Sequence, residues 1–109
     1  MNSAATNKRL AMLEKMTATG NADAFAWYGL AMEYRNEGRH DDAVRAFETL
    51  RERFPDYLAQ YLMAGQTLLT MGNPAAATVW LRQGLEIAQA QGNAKALSEL
   101  QAALDEATE

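Results

Sequence analysis

His40-Asp41-Asp42 is the one place in this 109-residue chain where a histidine stands beside carboxylates. An imidazole held by a neighbouring carboxylate can act as a general base, so the triplet is the first candidate for chemistry. It stands without an activated nucleophile beside it, and the chain has no cysteine to serve as a thiolate, a disulfide or a soft metal ligand. One histidine and scattered carboxylates make no metal-ligand cluster of recognisable spacing. Gly20-Asn21, Gly72-Asn73 and Gly92-Asn93 are turn punctuation and not a glycine-rich phosphate cradle. The expectation is a chain without catalytic residues, cofactor or metal, in which His40 has a structural place.

Composition narrows the partners. Ten basic and fourteen acidic residues give a formal net charge of −4, which argues against nucleic acid or an anionic membrane surface as partner. No apolar run approaches the roughly 20 residues that span a bilayer. The opening MNSAATNKRLAMLEKM is interrupted by charge and lacks the apolar centre of a signal peptide, so a soluble cytoplasmic protein is expected. Six methionines offer two readings: an adaptable binding surface formed by Met12, Met16, Met32, Met63 and Met71, or gap-filling in a small helical core. Trp80 is placed at the edge of a core.

The elements that must position these side chains are helices. Ala, Leu, Met, Glu, Gln and Arg dominate, and Val44, Val79 and Ile87 are the only aliphatic β-branched residues, a balance that favours helix throughout. Breaks at Gly20-Asn21, Gly38, Pro55-Asp56, Gly72-Asn73-Pro74 and Gly92-Asn93 predict six helices at roughly 6–17, 23–37, 41–54, 57–71, 74–91 and 94–107. Asn73 can cap a helix whose first position is Pro74, and Asp23, Asp56 and Asn93 are similar caps. Pro55 ends the helix before it.

A shift of 34 residues superposes the chain on itself: Trp27 falls on Tyr61, Ala31 on Gly65, Tyr34 on Leu68, Gly38 on Gly72, Ala43 on Ala77 and Phe47 on Leu81. Large meets large and small meets small, which is what interior packing selects. With Trp27, Leu30, Ala31, Tyr34, Ala43, Phe47 and Pro55 in place, residues 24–57 resemble the tetratricopeptide repeat, whose pattern is W-x2-L-G-x2-Y followed by A-x3-F and a late proline. Residues 58–91 resemble a second, weaker copy with Tyr61, Ala64, Gly65, Leu68, Ala77 and Leu81, and with Gln89 where the late proline belongs. Residues 6–17 and 94–107 look like half-repeats acting as N-terminal and C-terminal caps. The first sets Leu13 and Met16 at the large and small core positions; the second sets Leu97, Leu100 and Leu104 at first-helix spacing. The resemblance implies an all-α, right-handed superhelix of about six antiparallel helices in a single domain. It also implies a packing-at-the-turn position for His40.

In proteins similar to this one, first helices line a concave groove with the side chains facing away from their own second helix. Those positions are Phe25, Tyr28, Met32 and Arg35 in the first copy, and Ala59, Leu62, Gln66 and Leu69 in the second. Independently of the family, Phe25, Tyr28, Met32 and Arg35 are spaced three, four and three and form one stripe of a helix, while Trp27, Leu30, Ala31 and Tyr34 form another. One packing partner cannot cover both stripes. Relatives that grip acidic chaperone tails place Lys and Asn in the groove, where this chain has Tyr28, Met32, Leu62 and Gln66. The groove is therefore expected to take a hydrophobic peptide or an amphipathic helix, with Arg35 and Gln66 setting register. Two alternatives stay open: a second copy, making a homodimer or larger scaffold, and a terminal helix of the same chain.

Overall fold

The computed structural model describes residues 7–109, and the first residue of the expected 6–17 helix lies outside them. Among the described residues there are six helices and no strand: α1 (Lys8–Ala18), α2 (Ala24–Asn36), α3 (His40–Arg53), α4 (Ala59–Thr70), α5 (Pro74–Ala90) and α6 (Ala94–Ala107). No helix among these residues is long and apolar enough to cross a membrane. The chain forms two compact units, Met1–Phe54 with α1–α3 and Pro55–Glu109 with α4–α6.

Local chemistry fixes where each helix starts and stops. Asp23, Asn73 and Asn93 each accept a bond from the third residue on, at Ala26, Ala76 and Ala96, satisfying one of the donors that a helix start leaves open. Asn7 does the same for Leu10 at the start of α1, a cap the punctuation did not reveal. Asp56 does not cap α4. The chain turns once more after Pro55, and the backbone carbonyls of Tyr57 and Leu58 accept from Gln60 and Tyr61 instead. The Asp56 carbonyl accepts from the Gln91 side chain at 2.9 Å. Gly38, Gly72 and Gly92 end their helices at φ of 77°, 78° and 66°, the left-handed conformation that closes a helix with a paired backbone bond.

Unit one is held by α2 and α3, whose facing residues Ala31, Ala43 and Phe47 are fully buried. Helix α1 lies on α2 through Leu10 and Leu13 and through Glu33, which meets Asn7 at 3.2 Å and Arg9 at 3.4 Å. Met16 is 44% exposed, and Thr17 is the buried residue of that turn, its hydroxyl donating to the Leu13 carbonyl. The expected core position is thus displaced by one residue. Met12, Met16 and Met71 are exposed, and Met32 and Met63 are half-buried. The Tyr34 hydroxyl donates to Glu14 at 2.6 Å, and the Arg39 guanidinium lies 4.5 Å over the same ring. Burial first, and then the bond to Glu14, push the Tyr34 hydroxyl up to about 12.

Unit two repeats the scheme with tighter recesses. Trp80 is not at an edge but buried, 6.0 Å from the Tyr61 ring. A methyl placed on Gly65 would lie 2.6 Å from Leu81 Cδ2. One placed on Gly84 would lie 2.6 Å from Tyr61 Cβ and 2.8 Å from Leu100 Cδ2, so α5 meets α4 and α6 at a single point.

Two outcomes follow from this packing. Gly84→Ala should lower the urea midpoint, overpacking costing about 1–3 kcal/mol against the roughly 1 kcal/mol that alanine gains as a helix former. Gly29→Ala meets Leu13 at 3.4 Å and Arg9 Nη2 at 3.9 Å, ordinary contact distances, and should be neutral or stabilising; equal midpoints for the two variants would contradict the packing. In a spectrophotometric alkaline titration, a tyrosine ionising at about 12 should be seen and should vanish in Tyr34→Phe. Because the folded value lies above the ordinary 10, the stability tied to neutral Tyr34 is whole below pH 10 and lost between 10 and about 12.

Candidate functional site

The histidine–carboxylate triplet stands at the start of α3. His40 is the first residue of α3 and half-buried, while the Asp42 carboxylate is taken by two guanidinium groups, Arg39 at 2.8 Å and Arg45. Hydrogen bonds from Arg39, and then Arg45, hold Asp42 below the usual carboxylate range. Asp41 is exposed at the helix surface. No group of three or more metal-ligating side chains occurs among the described residues.

The apolar stripe of α2 is better placed to do something. Asp23 fixes the start of the helix, and the stripe facing α1 and α3 is buried at Ala26, Leu30 and Ala31. Trp27 and Tyr34 of that stripe are half-buried, with the Arg53 guanidinium 5.3 Å over the Trp27 ring. The second stripe stands beside it. Phe25 is 67% exposed in the first turn, and Met32 and Arg35 are half-buried. Tyr28 presents its ring edge to Phe47 with centroids 6.4 Å apart, so this side chain leans on the core as well as facing outward.

In unit two, Leu62 and Gln66 project from α4 into a cleft of about 290 Å³ whose opposite wall is α6, with Glu99, Ala102, Ala103 and Glu106. Leu69, on the same stripe, is half-buried and outside the cleft. Ala59, the remaining position of the stripe, is exposed. The α6 wall was not foreseen, although its signal is in the sequence: Gln66, advanced by the 34-residue period and the two inserted residues near Gly92, falls on Ala102. A second cleft, about 360 Å³, lies in unit one over Trp27 and Leu30, rimmed by Glu14, Asp42 and Arg45.

The chain's likenesses agree with this architecture. A family profile described as tetratricopeptide repeat matches residues 34–104. A tetratricopeptide repeat domain protein from Salinibacter ruber is 34% identical, over 80% of this chain and 97% of that one, with a TM-score of 0.74. A protein from Bordetella parapertussis is 26% identical over 91% of this chain and 86% of its own, with a TM-score of 0.77. PcrH from Pseudomonas aeruginosa superposes over 100% of this chain and 96% of its own, with a TM-score of 0.76; at 14% identity it shares the fold alone. No protein of curated function matches the sequence. Helix pairs closed by left-handed glycines, small residues set against large ones at a 34-residue period, and the profile match over residues 34–104 lead to one conclusion: the chain belongs to the tetratricopeptide repeat family.

Proposed function

We propose that this protein is a non-catalytic interaction module that holds a peptide or an amphipathic helix against the outward stripes of its first helices. The stripes are Phe25, Tyr28, Met32 and Arg35 on α2, and Leu62, Gln66 and Leu69 on α4. The tetratricopeptide repeat fold in general mediates protein–protein interaction and is not, as a rule, catalytic. The observation that carries the reading is Phe25, 67% exposed on a helix whose other stripe already packs in its own unit through Ala26, Leu30 and Ala31. An apolar side chain of that size gains most by being covered. Three such residues desolvated by a ligand contribute roughly 1–2 kcal/mol each, which supports micromolar binding once ordering costs are subtracted.

Selection of a displayed random peptide library on the protein tests the proposal. Peptides should be enriched, and Phe25→Ser combined with Leu62→Ala should weaken them at least about tenfold with an unchanged circular dichroism melt. Enriched peptides that bind the double variant equally, or a library that yields none, would sink the reading. Sedimentation equilibrium from about 1 to 200 μM accompanies it: a constant mass near 12.0 kDa is expected. A dimer that Phe25→Ser dissociates would instead assign the stripe to a second copy.

A further inference from the structure

The two units differ in charge. Of the ten basic and fourteen acidic residues, eight of each precede Pro55, so Pro55–Glu109 holds two basic and six acidic residues and carries the whole net charge of −4. The difference is sharpest at the α4–α6 cleft. Helix α4 has no charged residue, and the facing wall of α6 sets Glu99 and Glu106 on the cleft around Ala102 and Ala103. Seven residues apart on a helix, the two are separated by about 10 Å along its axis. Neither makes an ion pair with a lysine or arginine, whereas unit one contains the pairs Arg9–Glu33, Arg39–Asp42 and Arg45–Asp42. Lys95, the one basic residue of α6, is exposed at the first turn and does not line the cleft.

The unit-one cleft makes the contrast. There Glu14 accepts from Tyr34, and Asp42 is held by Arg39 and Arg45, so its carboxylates are internally matched. In unit two the cleft has an apolar lining of half-buried Leu62, buried Ala103 and exposed Ala102, flanked by the two exposed, unpaired carboxylates.

We infer that the α4–α6 cleft takes a basic amphipathic segment of a partner protein, one apolar side chain on the floor and a lysine or arginine toward each of Glu99 and Glu106. This rests on the interaction-module reading and names the ligand chemistry for one of its two stripes. The surrounding field favours the same occupant, because an excess of negative charge over unit two attracts cations and repels acidic tails before contact. A helical ligand meets the spacing with basic residues seven apart and an apolar residue midway. Gln66, at the edge of the floor, can bond the ligand's backbone or a polar side chain.

Two synthetic helical peptides test this on the full chain by fluorescence anisotropy. Both carry leucine at positions 6 and 7; one has lysine at positions 3 and 10, the other glutamate. The lysine peptide should bind and the glutamate peptide should bind at least about tenfold more weakly. Glu99→Gln and Glu106→Gln should each weaken the lysine peptide about threefold, and more at low salt than at 0.5 M. Glu99→Lys with Glu106→Lys should reverse the preference. If Leu62→Ala weakens binding while the glutamine variants do not, the charge assignment is wrong and the groove reading survives. If neither changes it, both fail at this cleft. A lysine peptide that does not bind, or binds no better than its glutamate counterpart, overturns the inference and leaves the library selection to judge the groove.

Discussion

Gly84 has no room for a methyl group. A Cβ there would enter Tyr61 and Leu100 together, and that contact dictates how closely α5 can lie against α4 and α6. The same constraint recurs at Gly65 against Leu81, and in unit one at Ala31 and Ala43 beside Phe47, each without measurable exposure. Antiparallel helices approach this closely only where one offers a recess and the other a filling side chain. Everything else follows from where those recesses fall. They consume one stripe of α2 and one of α4, and a helix has a second stripe that no partner within its own three-helix unit can bury completely. The residues on that second stripe, Phe25 above all, are consequences of the packing scheme as much as candidates for function.

The two stripes divide the residues that fix the fold from those proposed to meet a ligand. Ala31, Leu30 and Ala26 fix the α2 packing, while Phe25 and Met32 take little part in it. Tyr28 is the intermediate case, since its ring edge meets Phe47 while its other side faces outward. Substitution there exchanges binding against an aromatic contact worth about 1 kcal/mol. In unit two, the corresponding positions Leu62 and Gln66 form one wall of a cleft, and α6 supplies the other. The distribution of charge differs between the units. Unit one has equal numbers of acids and bases, with local pairs such as Arg39–Asp42, whereas unit two leaves Glu99 and Glu106 without an ion pair at its cleft.

Much of the fold was legible in the sequence because its signals are local or periodic. Glycine at the turns, Asp23, Asn73 and Asn93 at the caps, and the small-large alternation at a 34-residue period all act over short distances or repeat. Errors came where a single residue was decided by a neighbour. Asp56 lost its capping role because the backbone took another turn after Pro55, and Met16 was displaced from the core by Thr17, whose hydroxyl bonds back to the Leu13 carbonyl. The outward stripe on α2 could be read from its spacing of three, four and three. The acidic wall could not, because it depends on which face α6 turns toward α4, and the two inserted residues near Gly92 hide the register.

The central claim is that the outward stripes of α2 and α4, and not the backs of the helix pairs, receive the ligand. Titration of a library-selected peptide into ¹⁵N-labelled protein tests it most directly. The account predicts that the largest amide shift changes lie at Phe25, Tyr28, Met32, Leu62 and Gln66, with α6 residues Ala102 and Ala103 following. Changes concentrated on α3 and α5, at residues such as Arg45, Glu48, Val79 and Arg82, would contradict it.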